Sequence, residues 1–147
     1  MRTVPVAPAK ILLVDDNRDG LLVRRLLLEE AGYRVEVASN GEEGLNRFQA
    51  GGFDVVVTDY RMPRMNGGEL IQGIRKIDPR ARVILLSGFV EPLGLTEEGT
   101  GADVVIAKSF NEQTHLMRWV KRLVNGAPAR KPPGAQKRAV AAARAAR

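Results

Sequence analysis

The feature that most constrains the fold is a repeated alternation of short apolar runs with longer amphipathic segments. Five runs rich in Val, Ile and Leu are each followed by a segment that has helical spacing of its apolar residues. Short β-branched runs are typical of buried strands, and strand–helix alternation is typical of a parallel sheet covered on both faces. The predicted strands are residues 11–14, 34–38, 54–58, 82–86 and 103–107.

Local signals predict where several helices begin and end. Ser39 with Glu42, and Asn66 with Glu69, have the spacing of a capping box, in which cap and third-residue side chains satisfy free backbone donors reciprocally. Gly32 is predicted to end the first helix, because glycine readily adopts the left-handed conformation found after helix ends.

The last helix is predicted to begin near Asn111 and to turn one apolar stripe towards the core. His115, the only histidine, is predicted to be a surface residue, since one histidine without other ligands makes no zinc site. The stretch 91–101 holds one proline and three glycines, so the fourth helix should be short or irregular. The apolar stripe of the last helix consists of Leu116, Trp119, Val120, Leu123 and Val124.

Chain length and residue types limit the class of protein. A chain of 147 residues suits one folded domain. It has no cysteine, which excludes disulfides and thiolate metal sites. No stretch approaches the roughly 20 apolar residues of a membrane span, and the first nine residues lack the apolar run of a signal sequence. We therefore expect a protein without a membrane segment, located in the cytoplasm.

The net charge of +6 comes from the end of the chain. Residues 126–147 hold six Lys and Arg and no acid, whereas the remaining residues hold 17 basic and 17 acidic side chains. We expect a flexible arm over residues 1–9, one domain over 10–125 and a disordered basic tail rich in Ala, Pro and Arg over 126–147. The tail could contact nucleic acid non-specifically, but no aromatic residues interleave to stack on bases, so nucleic acid is not favoured as a partner.

Three carboxylates stand where predicted strands end. Asp15 and Asp16 follow the first strand, and Asp59 follows the third. Ligands of open parallel sheets bind beyond the carboxyl ends of the strands, where strand order reverses. Like charges a few ångströms apart resist joint ionisation, and a divalent cation removes the conflict. With only oxygen ligands on offer, Mg²⁺ is the expected ion.

Two more polar residues follow strands at the same edge. Ser87 comes after the fourth strand and Lys108 after the fifth. A carboxylate nucleophile, a metal, a hydroxyl and an ammonium together form a phosphoryl-transfer site, because that reaction depends mainly on positioning and charge neutralisation. Any one of these residues alone is commonly a helix cap or a solvated side chain. Their joint placement is what indicates chemistry.

These motifs resemble the receiver domain of bacterial response regulators, which act in two-component signalling. The similarity covers about residues 10–125. It implies a doubly wound α/β fold of the flavodoxin-like (βα)₅ type, with five parallel strands in the order 2-1-3-4-5. The matching motifs are residues 13–16 (Leu-Val-Asp-Asp), 59–67 (Asp-Tyr-Arg-Met-Pro-Arg-Met-Asn-Gly), 86–88 (Leu-Ser-Gly) and Lys108 before Phe110.

The resemblance also implies a chemical role for three residues. Asp59 would be the phosphoacceptor, Ser87 would hydrogen-bond the phosphoryl group, and Lys108 would pair with it. The donor would be a histidine kinase or a histidine phosphotransfer protein, and the downstream partner would be another protein of unknown identity. Such a module is not an enzyme with a separate substrate, because it catalyses only its own phosphorylation and dephosphorylation.

For the metal, the resemblance implies Mg²⁺ held by side chains and one carbonyl. Asp16 and Asp59 would be direct ligands, and Asp15 would act mainly through metal-bound water. The third protein ligand would be the main-chain carbonyl of Arg61.

Two positions depart from the family pattern, and two others bear on the rate of dephosphorylation. Val105 stands where a switching Tyr or Phe is usual, and Ser109 replaces the usual proline, so we expect a trans peptide bond there. Arg61 and Phe89 lie where side chains overhang the phosphoryl group, which predicts slow self-dephosphorylation. Phosphorylation-coupled switching is therefore expected to be atypical.

Other functions stay open at this stage. The chain could be a receiver fragment of a hybrid kinase, or a receiver with weak switching. A Mg²⁺-dependent phosphatase of the haloacid-dehalogenase kind also uses an aspartyl nucleophile, but it places a second Asp two residues later, where this chain has Arg61. We expect a stand-alone receiver.

Overall fold

The computed structural model of the chain describes residues 7–88, 95–109 and 111–126, and within these ranges five strands alternate with five helices. The strands are β1 (Lys10–Val14), β2 (Arg34–Ala38), β3 (Val55–Asp59), β4 (Val83–Ser87) and β5 (Val104–Ala107). The helices are α1 (Arg18–Glu30), α2 (Gly41–Ala50), α3 (Gly67–Ile77), α4 (Glu97–Thr100) and α5 (Glu112–Val124).

The strands form one parallel sheet in the order β2-β1-β3-β4-β5, which confirms the predicted fold. β3 and β4 begin and end one residue later than predicted. Asp59 pairs with Leu86, and Ser87 pairs with Ala107, so the parallel ladder includes these two polar residues instead of stopping before them. Strand order reverses between β1 and β3, which is where ligands of such sheets bind.

Apolar side chains cover both faces of the sheet. Successive residues of β1 alternate between two cores, which explains why the strands read as continuous apolar runs. One core lies under α1 and α5 and includes Leu21, Leu28, Leu116, Val120 and Leu123. The other lies under α2 and α3 and includes Phe48, Leu70, Ile71 and Ile74.

The predicted start of α2 was wrong by one residue. The N-cap is Asn40, whose side chain accepts a hydrogen bond from the Glu43 backbone at 2.7 Å. Ser39 instead donates its backbone N–H and its hydroxyl to Oε1 of Glu43. The sequence does not separate the two caps, because Glu42 and Glu43 give Ser39 and Asn40 the same three-residue spacing.

Other local predictions are confirmed. Asn66 and Glu69 form a reciprocal capping box, with hydrogen bonds of 2.9 and 3.0 Å. Gly32 follows the end of α1 with a φ of 100°. α4 has four residues, and α5 begins directly after Asn111, whose side chain makes no capping hydrogen bond. The α5 stripe faces the core, with Trp119 and Val124 partly buried, and His115 is exposed.

Several expectations concern residues outside the described ranges. These are most of the predicted arm, Phe89 in the overhang prediction, Phe110, and the basic tail beyond residue 126. Among the described residues, none of the helices has the length and apolar character needed to cross a membrane.

Candidate functional site

Three carboxylates converge at the carboxyl end of the sheet. Asp15 follows β1 directly and Asp59 ends β3, and the pairing of Val14 with Thr58 brings the two strand ends to the same level. One oxygen each of Asp15, Asp16 and Asp59 lies within 4.8 Å of the others. Asp15 and Asp59 are 2% and 4% exposed, whereas Asp16 is exposed to solvent. The cluster is therefore buried on one side and open to water on the other.

This donor set fits a small, hard dication. All three side chains offer oxygen, which Mg²⁺ prefers over nitrogen or sulfur. Mg²⁺ usually keeps several waters, and the exposed position of Asp16 leaves room for them. The residues predicted as side-chain metal ligands are thus placed together.

Lys108 lies next to the cluster. Its Nζ forms an ion pair with Oδ1 of Asp59, a buried oxygen with no hydrogen bond from another described group. The main-chain N–H of Lys108 donates to the Ser87 carbonyl at 2.7 Å, which fixes the ends of β4 and β5 beside each other. Ser87 is 4% exposed. The ends of β1, β3, β4 and β5 therefore contribute the predicted residues to one edge.

The surroundings of Asp59 perturb its titration. Burial raises the pKa of the Asp59 carboxyl above its ordinary value. The Lys108 ammonium opposes this rise, and repulsion from the Asp15 carboxylate adds to it. The carboxyl is thus less stable as an anion than a solvated aspartate, and an additional positive charge at the site would stabilise its ionised form.

Close packing shapes the loop between β3 and α3. A β-carbon on Gly67 would lie 2.4 Å from the Asp59 carbonyl oxygen, so only glycine fits there. The Gly67 N–H donates to the Tyr60 carbonyl at 2.8 Å, and Met62 is buried beneath the loop. Arg64 has a φ of 70°, a conformation that non-glycine residues rarely adopt. The 59–67 motif therefore encodes a tightly constrained loop under the site.

A buried arginine was missed by sequence reasoning. Arg24 of α1 is 7% exposed, and its guanidinium contacts Oδ2 of Asp15 at 2.7 Å and Oε2 of Glu112 at 2.9 Å. Burial acts to lower the Arg24 pKa, but the two carboxylates outweigh it and raise the pKa above its ordinary value. The available signal was its position, because Arg24 lies three residues after Leu21 and four before Leu28, on the buried face of α1.

Three further positions that the sequence singled out lie in the loop after Asp59, directly after β5 and within β5. Arg61 is exposed in the loop after Asp59, and its carbonyl stays a predicted ligand. The Lys108–Ser109 peptide bond is trans, as expected, since the described residues include no cis bond. Val105 is partly buried against the α2–α3 core, and its N–H donates to Oε2 of Glu97 at 2.8 Å.

The site defines the class of protein as a doubly wound α/β domain with clustered carboxylates and a lysine at the carboxyl edge of its sheet. The sequence profile of the response regulator receiver domain matches residues 11–120. The chain therefore belongs to the response regulator receiver family, which confirms the resemblance stated above. Proteins of this family are signalling modules.

Curated relatives share this region. A response regulator receiver protein of Anaeromyxobacter is 40% identical over 81 residues, covering 55% of this chain and 34% of the relative. The chemotaxis protein CheY of Thermotoga maritima is 34% identical over 103 residues, covering 69% of this chain and 86% of the relative. The chain spans between a third and a half of the length of the first two curated relatives that it matches.

Solved structures have the same fold. A receiver domain from Clostridium thermocellum has a TM-score of 0.73 at 32% identity, covering 80% of this chain and 94% of that one. TrrA of Thermotoga maritima, solved in complex with Mg²⁺ and BeF, has a TM-score of 0.71 at 36% identity, covering 78% and 98%. TrrA was also solved in complex with the histidine kinase ThkA; that structure has a TM-score of 0.70 at 36% identity, covering 78% and 97%.

Proposed function

We propose that the chain is a stand-alone receiver that accepts a phosphoryl group on Asp59 in a Mg²⁺-dependent reaction. The observation that carries the proposal is the convergence of three carboxylates, of which Asp59 is paired with Lys108. The phosphorylated receiver then signals by protein–protein interaction or passes the phosphoryl group on in a phosphorelay.

In the proposed reaction, a carboxylate oxygen of Asp59 attacks phosphorus. The phosphohistidine donor carries a proton, taken from solvent, on its other ring nitrogen. Its phosphorus–nitrogen bond breaks, an acyl phosphate forms on Asp59, and the histidine leaves as the neutral imidazole. Lys108 moves its ion pair from the carboxylate to the phosphoryl oxygens, and Ser87 donates its hydroxyl to them. A bound Mg²⁺ would neutralise charge on those oxygens as the transfer proceeds.

The proposed metal ligands are those that the family resemblance implies, and the clustering of the three carboxylates supports them. Asp16 and Asp59 would bind the ion directly, together with the main-chain carbonyl of Arg61. Asp15 would act mainly through metal-bound water, because each of its oxygens already accepts a hydrogen bond. Oδ1 accepts from the Asn17 backbone at 2.9 Å, and Oδ2 accepts from Arg24 at 2.7 Å.

The donor in this proposal is a histidine kinase or a histidine phosphotransfer protein. Support comes from TrrA, which has a kinase partner in its solved complex. The downstream protein, the cytoplasmic location and the division into an arm, a domain over 10–125 and a tail stay predictions. The chain would catalyse only its own phosphorylation and its own, slow, dephosphorylation. A phospho-Asp59 lifetime of seconds would contradict the slow step.

The proposal is tested by phosphorylation with a small donor. Purified chain is incubated with acetyl phosphate and Mg²⁺ and is then separated on a phosphate-affinity gel. We expect a retarded band for the wild type and none for Asp59→Asn. Asp54→Asn is the matched control, because Asp54 is exposed just before β3, at the opposite end of the same strand. A wild type that is never retarded, or an Asp59→Asn variant that is retarded equally, would contradict the proposal.

A further inference from the structure

We propose that Arg24 is a built-in counter-cation of the carboxylate site, shared between Asp15 and Glu112, and that it weakens Mg²⁺ binding. The proposal rests on the proposed function, because it concerns the same metal site. It assigns a role to Arg24 and Glu112, which the proposed phosphoryl chemistry does not use. Arg24 is a positioning residue in this account, since it acts through Asp15.

The triad joins three separate parts of the fold. Arg24 lies on α1, Asp15 follows β1, and Glu112 begins α5. The side chains of Arg24, Asp15 and Glu112 are 8%, 3% and 14% exposed. Charges removed from water in this way are rarely retained unless they are paired and hydrogen-bonded, and both Arg24 contacts are also hydrogen bonds.

Gly20 provides the space for this arrangement. A β-carbon on Gly20 would lie 3.0 Å from a terminal nitrogen of Arg24 and 3.4 Å from Oδ2 of Asp15. Glycine inside a helix is less stable than alanine, and Gly20 lies in the first turn of α1. α1 therefore has a residue of low helix propensity, Gly20, beside the contact between Arg24 and Asp15.

The charges decide the direction of the effect. Asp15, Asp16 and Asp59 face two cations in the described structure, with Lys108 on Asp59 and Arg24 on Asp15. Electrostatic repulsion among the carboxylates is thus reduced before any metal binds. A dication that enters the site meets an Asp15 whose charge is already compensated, and it is repelled by Arg24.

Glu112 modulates the same interaction. It shares the guanidinium with Asp15, so part of the Arg24 charge is balanced away from the site. A cavity of about 290 Å³ lies beside the pair and is lined by Asn17, Val23, Arg24 and Glu112, among others. The Arg24–Glu112 pair therefore borders open space on one side.

The proposal predicts opposite effects for two substitutions. Mg²⁺ affinity is obtained from thermal unfolding at increasing MgCl₂ and constant ionic strength, because a ligand of the folded state raises stability according to its concentration over Kd. Arg24→Met should bind Mg²⁺ more tightly than wild type, on the order of tenfold. Glu112→Gln should bind about threefold more weakly, since the full Arg24 charge then acts on Asp15.

Two controls separate this role from simple stabilisation. Arg25→Met removes the same charge from the next residue of α1, where an exposed Arg25 pairs only with Glu29 among the described contacts, and should leave Kd within about twofold because exposed charges are screened. Arg24→Lys keeps the charge and should keep Kd within about threefold. Mn²⁺ binding followed by electron paramagnetic resonance measures occupancy without an unfolding step.

Unchanged or weaker Mg²⁺ binding by Arg24→Met would overturn the proposal, and so would tighter binding by Glu112→Gln. If Arg24→Met does not fold, the sign of the Glu112→Gln effect decides alone. None of these results contradicts the proposed function if the wild type binds Mg²⁺ and is phosphorylated. A wild type that binds neither Mg²⁺ nor Mn²⁺ would overturn both proposals.

Discussion

The two helices that flank β5 are held by different kinds of interaction. α5 has 13 residues, and it buries Leu116, Val120 and Leu123 in the core. α4 has four residues, and its one buried side chain is Thr100. Burying a large apolar side chain contributes about 1.5 to 3 kcal/mol, whereas an ordinary hydrogen bond contributes about 0.5 to 1.5 kcal/mol. α5 is therefore the more firmly attached helix.

Side-chain hydrogen bonds hold α4 instead. The Thr96 hydroxyl accepts from the Gly99 N–H at 2.9 Å, Glu97 accepts from the Val105 N–H, and Arg75 of α3 donates to the Gly101 carbonyl at 2.7 Å. Because α4 is held by polar contacts and α5 by buried apolar side chains, we expect α4 to open at a lower free-energy cost than α5.

The largest effect on stability should follow from removing a core contact of α5. Leu116→Ala should lower the free energy of unfolding by about 2 to 5 kcal/mol, because Leu116 is fully buried and its truncation leaves a cavity. Leu95→Ala, just before α4, should have a smaller effect since Leu95 is only partly buried. Urea denaturation measures both, and equal losses would contradict the difference between the helices.

A middle-sized effect is expected from Arg75. Its guanidinium donates hydrogen bonds to the carbonyls of Gly101 and Ala81 and to Oδ2 of Asp103. Arg75→Met therefore leaves these acceptors without a hydrogen-bond donor. We expect a loss of about 1.5 to 3 kcal/mol, the range for hydrogen bonds to charged groups. Lys76→Met, the exposed neighbour on α3, should change unfolding by less than about 0.5 kcal/mol. A similar loss in both variants would show that α4 is not anchored by Arg75.

A small and local effect should follow from the α4 cap. Thr96→Ala removes the side-chain acceptor for Gly99 and should destabilise α4 by about 1 kcal/mol, whereas Thr96→Ser keeps it. Hydrogen exchange should accelerate in residues 97–101 and stay unchanged in α5. Acceleration that extends into α5 would mean that the two helices open together.

The smallest effect concerns the pH dependence of stability that the Asp59 carboxyl contributes. Folding raises the pKa of Asp59, so its ionised form destabilises the folded chain. This penalty is absent below the ordinary carboxyl pKa, grows as pH rises towards the raised value and is constant above it. In EDTA, Asp59→Asn should therefore unfold at higher urea than wild type at pH 7, and this advantage should shrink as pH falls. A difference in urea midpoint between Asp59→Asn and wild type that does not change with pH would contradict a raised pKa of Asp59.

The sequence predicted the sheet well because buried parallel strands are apolar on both faces. The carboxylate cluster followed from the sheet, since parallel strands end at one edge. The start of α2 was misplaced because Ser39 and Asn40 are both good caps, and each has a Glu three residues later.

Two arginines show what sequence patterns leave undetermined. Arg24 and Arg75 both act through contacts with distant residues, 88 and 26 positions away. A long charged side chain on a helix normally points to solvent, and only its place on the apolar stripe distinguishes a buried one. For this reason the sequence predicted a divalent cation as the counter-charge of the carboxylates and omitted Arg24.

The central claim is that Asp59 becomes phosphorylated in a site assembled from strand ends. Intact-mass spectrometry after incubation with acetyl phosphate tests it most directly. Wild type should gain the mass of one phosphoryl group in Mg²⁺ and none in EDTA, and Asp59→Asn should gain none in either. An unchanged wild-type mass in Mg²⁺, or an equal gain by the variant, would contradict the claim.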